Sequence, residues 1–159
     1  MKQKISLKVF EDTFWQYNLK VEAYREVPID TSVLSSHSLK IMPKIIQAII
    51  TRPHHCRTLY SFERLLYHAR QSTRSKIKEN GIHHEFFFAS LSPRNIIYKA
   101  LCRSQDLSKF YKDLKNKDYK ANFSLFHRRF STNTVSTWDK TQPFRLIAHN
   151  GEINTIAGN

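Results

Sequence analysis

AHNGEINTIAGN, residues 148–159, holds two of the three glycines in a chain of 159 residues. The pair Asn150-Gly151 is typical of a turn in which residues take positive φ angles. A second interpretation is an oxyanion hole, because glycine leaves its backbone N–H open to a substrate and the Asn150 amide adds a second donor. Spacing alone leaves both interpretations open. For Gly158 we expect only a turn or helix-packing role.

A second polar stretch, HRRFSTNT at residues 127–134, lies at the end of a predicted strand. An arginine there offers a two-pronged donor to a carboxylate, and the hydroxyls and amide that follow can fix the arginine or its ligand. The same residue types are typical of a solvated turn, which spacing alone slightly favours. Arg128 and Arg129 are both candidates, since a shift of one residue in a strand exchanges the side chains on its two faces.

The charge balance is strongly basic, with 26 Lys+Arg against 13 Asp+Glu and a net charge of +13. Such a charge permits binding to nucleic acid or to an acidic membrane surface. The basic residues form no dense tract, so we expect no nucleic-acid partner. A basic nucleic-acid-binding module remains the alternative function from a different class. No apolar run reaches the ~20 residues that a membrane span needs, so no span is predicted.

Cysteine and histidine residues suggest neither a metal centre nor a disulfide framework. Cys56 and Cys102 are far apart in sequence and lack CxxC spacing, so each is interpreted as a structural cysteine rather than a nucleophile. The runs at 54–56 and 83–84 place histidines next to each other, and neighbouring side chains point in different directions. No second ligand pair at zinc-site spacing accompanies them, so we predict no metal.

Hydrophobic periodicity predicts a mixture of helices and hairpin strands, hence an α+β fold. The predicted helices cover residues 4–18, 62–80 with Ser61 as the N-cap, and 105–114. The predicted strands cover residues 20–27, 44–51 as a buried strand, 86–91, 96–101, 123–130 and 144–148.

Several stretches, read in order, resemble one family. They are AYREVPIDTSVL (23–34), FFFASLSPRNIIYKALC (86–102), RFSTNT (129–134), TWDKTQPFR (137–145) and AHNGEINTIAGN (148–159). Together they are similar to the glutaminase domain of the glutamate synthases, within the class II glutamine amidotransferases. The resemblance implies an N-terminal-nucleophile hydrolase fold, a four-layer αββα sandwich. Residues 1–159 are then expected to be part of this single domain, incomplete at both ends.

The same resemblance assigns roles to four residues. Arg129 is expected to bind the α-carboxylate of L-glutamine, with Thr132 as a supporting contact. Asn150, through its side chain, and Gly151, through its backbone N–H, are expected to form the oxyanion hole. The role of Arg128 stays open.

The family's nucleophile is a cysteine at the mature N-terminus, whose own α-amino group acts as the base. Neither Cys56 nor Cys102 matches that position. We therefore expect residues 1–159 to be an internal piece of a larger polypeptide, without the nucleophile segment and the C-terminal remainder of the domain. Alone, this piece is expected to be inactive.

The resemblance also implies an activity for the whole enzyme. Glutamine hydrolysis would supply ammonia for reductive amination of 2-oxoglutarate to L-glutamate. The cofactors of this reaction would be FMN, a 3Fe-4S cluster and, as a further candidate, FAD. None of these cofactors would bind to residues 1–159. Electrons would come from ferredoxin or from an NAD(P)H-oxidising subunit. Abundant Lys, Ile, Asn, Phe and Tyr favour an AT-rich genome, hence a plastid stroma, with a bacterial cytoplasm as the alternative. Another class II amidotransferase is the alternative function.

Overall fold

The computed structural model describes residues 2–84, 86–128 and 135–141. The chain forms two compact units. The first unit comprises Met1–Val27 with Pro43–Ile96, and the second comprises Pro28–Met42 with Ile97–Asn159.

Helices and one two-stranded sheet make up the regular structure of the described residues, which agrees with the α+β prediction. The helices are α1 (Lys2–Gln16), α2 (Ser36–Lys40), α3 (Leu59–Glu79) and α4 (Leu107–Phe110), and the strands are β1 (Lys20–Glu26) and β2 (Ile46–Thr51). Short 3-10 helices cover Thr31–Val33, Ser104–Asp106 and Lys112–Lys115. None of the helices in these ranges combines the length and apolar character that a membrane crossing requires.

Helix α1 confirms the predicted helix over residues 4–18. Phe10 and Phe14, four residues apart and therefore on one face, have ring centroids 4.2 Å apart and are buried. The helix ends at Gln16, and two residues later Asn18 takes a positive φ of 54°. The backbone N–H of Leu19 then donates to the carbonyl of Phe14 at 2.9 Å, a closure typical of helix C-termini.

Helix α3 confirms the second predicted helix, but its N-cap is Thr58 and not Ser61. The Thr58 hydroxyl accepts from the backbone N–H of Ser61 at 3.0 Å, and the Ser61 hydroxyl accepts from the backbone N–H of Thr58 at 3.2 Å. This reciprocal pair is a capping box, in which the third helical residue supports the cap rather than being it. The helix stops before Gly81, whose φ of +68° suits glycine.

The core of the first unit lies between these helices and the sheet. Its buried members are Phe10, Phe14, Leu19, Cys56, Phe62, Leu66 and Ala69. Ala48 and Ile50 pack against it from β2, while Ile49 is 56% exposed. The prediction of a buried strand at 44–51 is therefore only half right: β2 pairs antiparallel with β1 and has one covered face, because alternate residues of a strand point to opposite sides.

Three predicted strands are wrong where the structure describes them. Residues 86–91, 96–101 and 123–128 form no strand. Phe86, Phe88 and Leu91 instead pack against the core of the first unit, while Phe123 is 80% exposed. Apolar alternation predicted these strands, but a strand also needs a hydrogen-bonded partner, and within the described residues none pairs with them. The predicted strand at 144–148 lies outside the described residues.

The second unit gathers short helices around aromatic side chains. The predicted helix at 105–114 is instead a succession of the 3-10 helix Ser104–Asp106, α4 and the 3-10 helix Lys112–Lys115. Phe110 and Tyr111 are buried there. Two backbone hydrogen bonds, from Asp30 to the carbonyl of Phe110 and from Lys112 to the carbonyl of Pro28, close an isolated bridge around Tyr111.

Candidate functional site

The four candidate site residues, Arg129, Thr132, Asn150 and Gly151, lie outside the described residues, so their roles stay predictions. Arg128 is described and is exposed. What the structure does describe is the short segment between the two candidate motifs, residues 135–141. The site is therefore built outward from that segment.

Residues 137–141 form a single turn. The backbone N–H and the hydroxyl of Thr141 both donate to the carbonyl of Thr137, at 3.0 Å and 2.8 Å. A bond from a residue to the carbonyl four positions earlier closes one helical turn that does not continue. This segment, called here the 137–141 turn, lies in sequence between RFSTNT and AHNGEINT.

Trp138 fixes the turn to the second unit. Its side chain is 4% exposed, and its ring centroid lies 5.9 Å from that of Phe110 in α4. The indole N–H donates to the main-chain carbonyl of Ser38 in α2 at 3.2 Å. A buried indole N–H usually requires such a partner. The contact therefore joins α2, α4 and the turn through one side chain.

Lys99 holds the same turn from another direction. Its side chain is 7% exposed, and its Nζ donates to the main-chain carbonyl of Asp139 at 3.1 Å. The Tyr111 hydroxyl donates to the carbonyl of Lys99 at 2.5 Å. Burial lowers the pKa of Lys99 to about 8, against an opposing effect of the Asp139 charge. Holding the Lys99 ammonium group in this buried position therefore costs free energy.

Sequence reasoning did not single out Trp138 or Lys99. TWDK was used only for its resemblance to a family motif, and Lys99 lies in a stretch predicted as a strand. One signal was available: a tryptophan in a polar turn segment between two candidate motifs is unusual, since tryptophan is highly buried on average.

The two cysteines are not placed as nucleophiles. Cys56 is buried in the core of the first unit, in agreement with a structural role. Burial, together with the nearby Asp106 carboxylate, raises the pKa of the Cys102 thiol, which disfavours the reactive thiolate. Asp106 is itself buried, and the hydrogen bond from Arg103 at 2.7 Å lowers its pKa.

The adjacent histidines do not form part of a metal-binding cluster in the described ranges. The rings of His83 and His84 lie 3.9 Å apart. Across residues 2–84, 86–128 and 135–141, no three His, Cys, Asp or Glu side chains lie together in a way that could hold a metal ion.

The comparison with protein families assigns the class. The profile of the class-II glutamine amidotransferases matches residues 1–159, so the chain belongs to that family. The resemblance inferred from RFSTNT, TWDK and AHNGEINT is confirmed at this level.

Comparison with individual proteins shows which class-II amidotransferases this chain resembles. The chain is 44% identical over 141 residues to ferredoxin-dependent glutamate synthase 2 of Synechocystis sp., covering 89% of this chain and 9% of that protein. It is 42% identical over 152 residues to the chloroplastic ferredoxin-dependent glutamate synthase of Oryza sativa, covering 96% and 9%. It is 37% identical over 158 residues to the NADH glutamate synthase of Saccharomyces cerevisiae, covering 96% and 7%. The chain thus spans less than a tenth of the length of these three relatives.

Proposed function

We propose that this chain supplies the glutamine-binding part of the glutaminase site of a glutamate synthase. The observation that carries the proposal is the class-II amidotransferase match across residues 1–159, together with similarity to glutamate synthases over most of the chain. The whole enzyme would hydrolyse L-glutamine and use the ammonia to convert 2-oxoglutarate to L-glutamate.

Substrate binding is assigned to RFSTNT. The Arg129 guanidinium would pair with the α-carboxylate of glutamine, because its planar fork matches both carboxylate oxygens, and the Thr132 hydroxyl would support that contact. Asn150 and Gly151 would bind the oxygen of the side-chain amide as it gains negative charge during thiol attack. One such donor typically stabilises the transition state by about 3–4 kcal/mol.

The thiol is proposed to come from elsewhere in the same polypeptide. Cys56 is in the core of the first unit, and burial disfavours the thiolate of Cys102. Residues 1–159 would therefore be one part of a glutaminase domain with the four-layer αββα sandwich of the N-terminal-nucleophile hydrolases. Helices beside an antiparallel sheet in the first unit are compatible with part of such layers.

The cofactors of the whole enzyme do not fit residues 1–159. An iron–sulfur cluster is typically held by several cysteine thiolates, whereas the chain has two cysteines, one of them in a hydrophobic core. We propose that FMN and the cluster bind to other parts of the enzyme and that ferredoxin is the electron donor. The relatives include a cyanobacterial enzyme and chloroplastic enzymes, which supports a plastid stroma as the location.

The proposal is tested in the natural polypeptide that contains residues 1–159, by measuring ammonia release at varied glutamine concentration. Arg129→Ala is expected to raise KM by about 100-fold, because it leaves the substrate carboxylate without its partner. Asn150→Ala is expected to lower kcat by about 100-fold or more with a smaller change in KM. Arg128→Ala is the matched comparison and is expected to change KM by less than Arg129→Ala. An unchanged KM in Arg129→Ala would contradict the proposal.

A further inference from the structure

The outer face of α3 carries a row of basic and aromatic side chains, called here the α3 stripe. At ~3.6 residues per turn, positions spaced alternately four and three apart stay within an arc of about 80°. In α3 these positions hold Tyr60, Arg64, Tyr67, Gln71, Arg74 and Lys78. The buried residues of the helix, among them Phe62, Leu66 and Ala69, lie on the other side. The helix therefore separates an apolar face, packed on the core, from a basic one.

Helix geometry gathers charges that are dispersed along the sequence. In residues 70–78, serine and threonine interrupt the basic residues. The helix buries Thr73, however, and leaves Arg64, Arg74 and Lys78 exposed. The stripe contains no acidic residue, and neither Arg64 nor Lys78 forms an ion pair within the described residues. A solvated helix face typically mixes both signs of charge, so a stripe of one sign favours an anionic partner.

Two tyrosines lie beside these cations and are accessible to a partner. Tyr60 is 68% exposed and Tyr67 is 43% exposed. The Arg70 guanidinium lies 5.7 Å from the centroid of the Tyr67 ring, and the Tyr67 hydroxyl accepts from the Gln71 amide at 3.1 Å. These contacts hold the ring in one orientation. An exposed aromatic ring can stack with a nucleobase, and neighbouring cations can pair with the phosphates.

The make-up of the stripe favours nucleic acid over an acidic protein. A protein interface usually has an apolar centre, whereas no aliphatic side chain occupies a stripe position. The distance along the helix from Tyr60 to Lys78 is about 27 Å at ~1.5 Å per residue. At ~3.4 Å per nucleotide along a stacked strand, this length matches about eight nucleotides. Single-strand sites typically cover ~4–16 nucleotides.

We propose that the α3 stripe binds single-stranded nucleic acid. Arg64, Arg74 and Lys78 pair with phosphates, and Tyr60 and Tyr67 stack with bases. Because every base has a face that can stack, binding does not depend on base sequence. RNA and DNA share the phosphates and bases that the stripe recognises. The site is separate from the glutamine chemistry, since it uses no residue of the candidate motifs.

Charge variants of the natural polypeptide that contains residues 1–159 test the phosphate contacts. The probes are labelled oligouridylate and oligothymidylate of about 15 nucleotides, at about 50 to 200 mM salt. The stripe double variant combines Arg64→Gln and Lys78→Gln, and glutamine keeps the helix propensity close to that of the parent. The matched control combines Lys117→Gln and Lys120→Gln, which removes the same charge from exposed residues outside α3.

The stripe double variant is expected to bind about tenfold more weakly at about 100 mM salt. The slope of log K against log salt should fall in magnitude by about 1.4, since each lost phosphate contact on a single strand contributes ~0.7. The matched control should stay within about twofold of the parent. Gln71→Lys adds a cation to the stripe and should strengthen binding by about threefold. Misfolding cannot produce that gain.

Aromatic variants test the stacking contacts. Tyr60→Leu should weaken binding by about 5- to 10-fold, because it removes one ring on which a base stacks. The slope against salt should not change, since no charge is lost. Trp15→Leu is the control, because Trp15 is 73% exposed on α1. It should leave the affinity within about twofold.

Three results would overturn the proposal. The first is a stripe double variant that binds the oligonucleotides as tightly as its matched control does. The second is a peptide of about 15 glutamates that competes as well as either oligonucleotide, since this result identifies an acidic protein as the partner. The third is no binding of either oligonucleotide at about 50 mM salt. Tighter binding of oligouridylate would identify RNA as the ligand and tighter binding of oligothymidylate would identify DNA, and either result supports the proposal.

Discussion

The indole N–H of Trp138 lies 3.2 Å from the main-chain carbonyl of Ser38, 100 residues earlier in the chain. This bond places the turn between the two candidate motifs against α2, in the interior of the second unit. In sequence, the turn lies between the two candidate motifs RFSTNT and AHNGEINT.

The buried amine of Lys99 predicts a pH dependence of stability. Its folded-state pKa of about 8 lies below the ~10.4 of a solvated lysine. Between these values the unfolded chain binds more protons, so the free energy of unfolding should rise as pH increases from 8 to 10. We expect a rise of about 1–3 kcal/mol relative to Lys99→Met, measured by urea unfolding.

The comparison with Lys99→Met isolates the contribution of Lys99 to the pH dependence of stability. Burial raises the pKa values of Tyr98 and Tyr111. Above pH ~10 the ionisation of these phenols lowers the free energy of unfolding as pH rises, so the measurement is confined to pH ~8–10. Parallel curves for the two proteins from pH 8 to 10 would show that Lys99 is not buried as a charged group.

The core of the first unit predicts a large effect at Phe14. Its side chain is fully buried and contacts the ring of Phe10. Phe14→Ala should lower the free energy of unfolding by about 3–5 kcal/mol, because it removes apolar contacts and leaves a cavity. Chemical denaturation measures the change. The neighbour Trp15 is exposed, so Trp15→Ala should cost less than about 0.5 kcal/mol. Similar losses in both variants would place the core elsewhere.

The cap of α3 predicts unequal effects of two hydroxyls. Thr58→Ala should lower the free energy of unfolding by about 1 kcal/mol, because the backbone N–H of Ser61 loses its acceptor. Ser61→Ala removes the return bond at 3.2 Å and the donation from the Ser61 hydroxyl to the Thr58 carbonyl at 2.8 Å. It should still cost less, because the backbone N–H of Ser61 keeps its acceptor and alanine has a higher helix propensity than serine. The two variants differ from the parent by similarly small side chains and serve as controls for each other. A larger loss of stability in Ser61→Ala than in Thr58→Ala would identify Ser61, and not Thr58, as the N-cap residue.

An isolated polypeptide of residues 1–159 is expected to release no ammonia from glutamine. Its thiols are Cys56, packed in a core, and Cys102, whose pKa is raised by burial, so neither offers an activated nucleophile. The measurement is ammonia release compared with the same polypeptide carrying Arg129→Ala. Release above that level, abolished by Cys102→Ser, would assign the nucleophile to this chain.

Several elements were predictable from sequence because their interactions are local. Apolar residues three and four apart predicted α1 and α3, and helix hydrogen bonds reach only four residues along the chain. Gly81 marked the end of α3 for the same reason. The motifs around Arg129 and Asn150 predicted the family, which the comparison with class-II amidotransferases confirms.

The three wrong strand predictions have a common physical cause. Residues 86–91, 96–101 and 123–128 alternate as strands do, yet a strand exists only where a distant segment pairs with it, and alternation carries no information about that partner. In the same way, the partner of the Trp138 indole is 100 residues away and that of the Lys99 ammonium is 40 residues away.

The sequence by itself therefore determined the family, the long helices and the types of side chain available for glutamine chemistry, since each depends on neighbouring residues or on a motif. The tertiary structure alone decided which apolar segments pair, which side chains bury a polar group and what holds the 137–141 turn. Those outcomes depend on contacts between residues far apart in the chain, whose free energy appears only when the segments pack together.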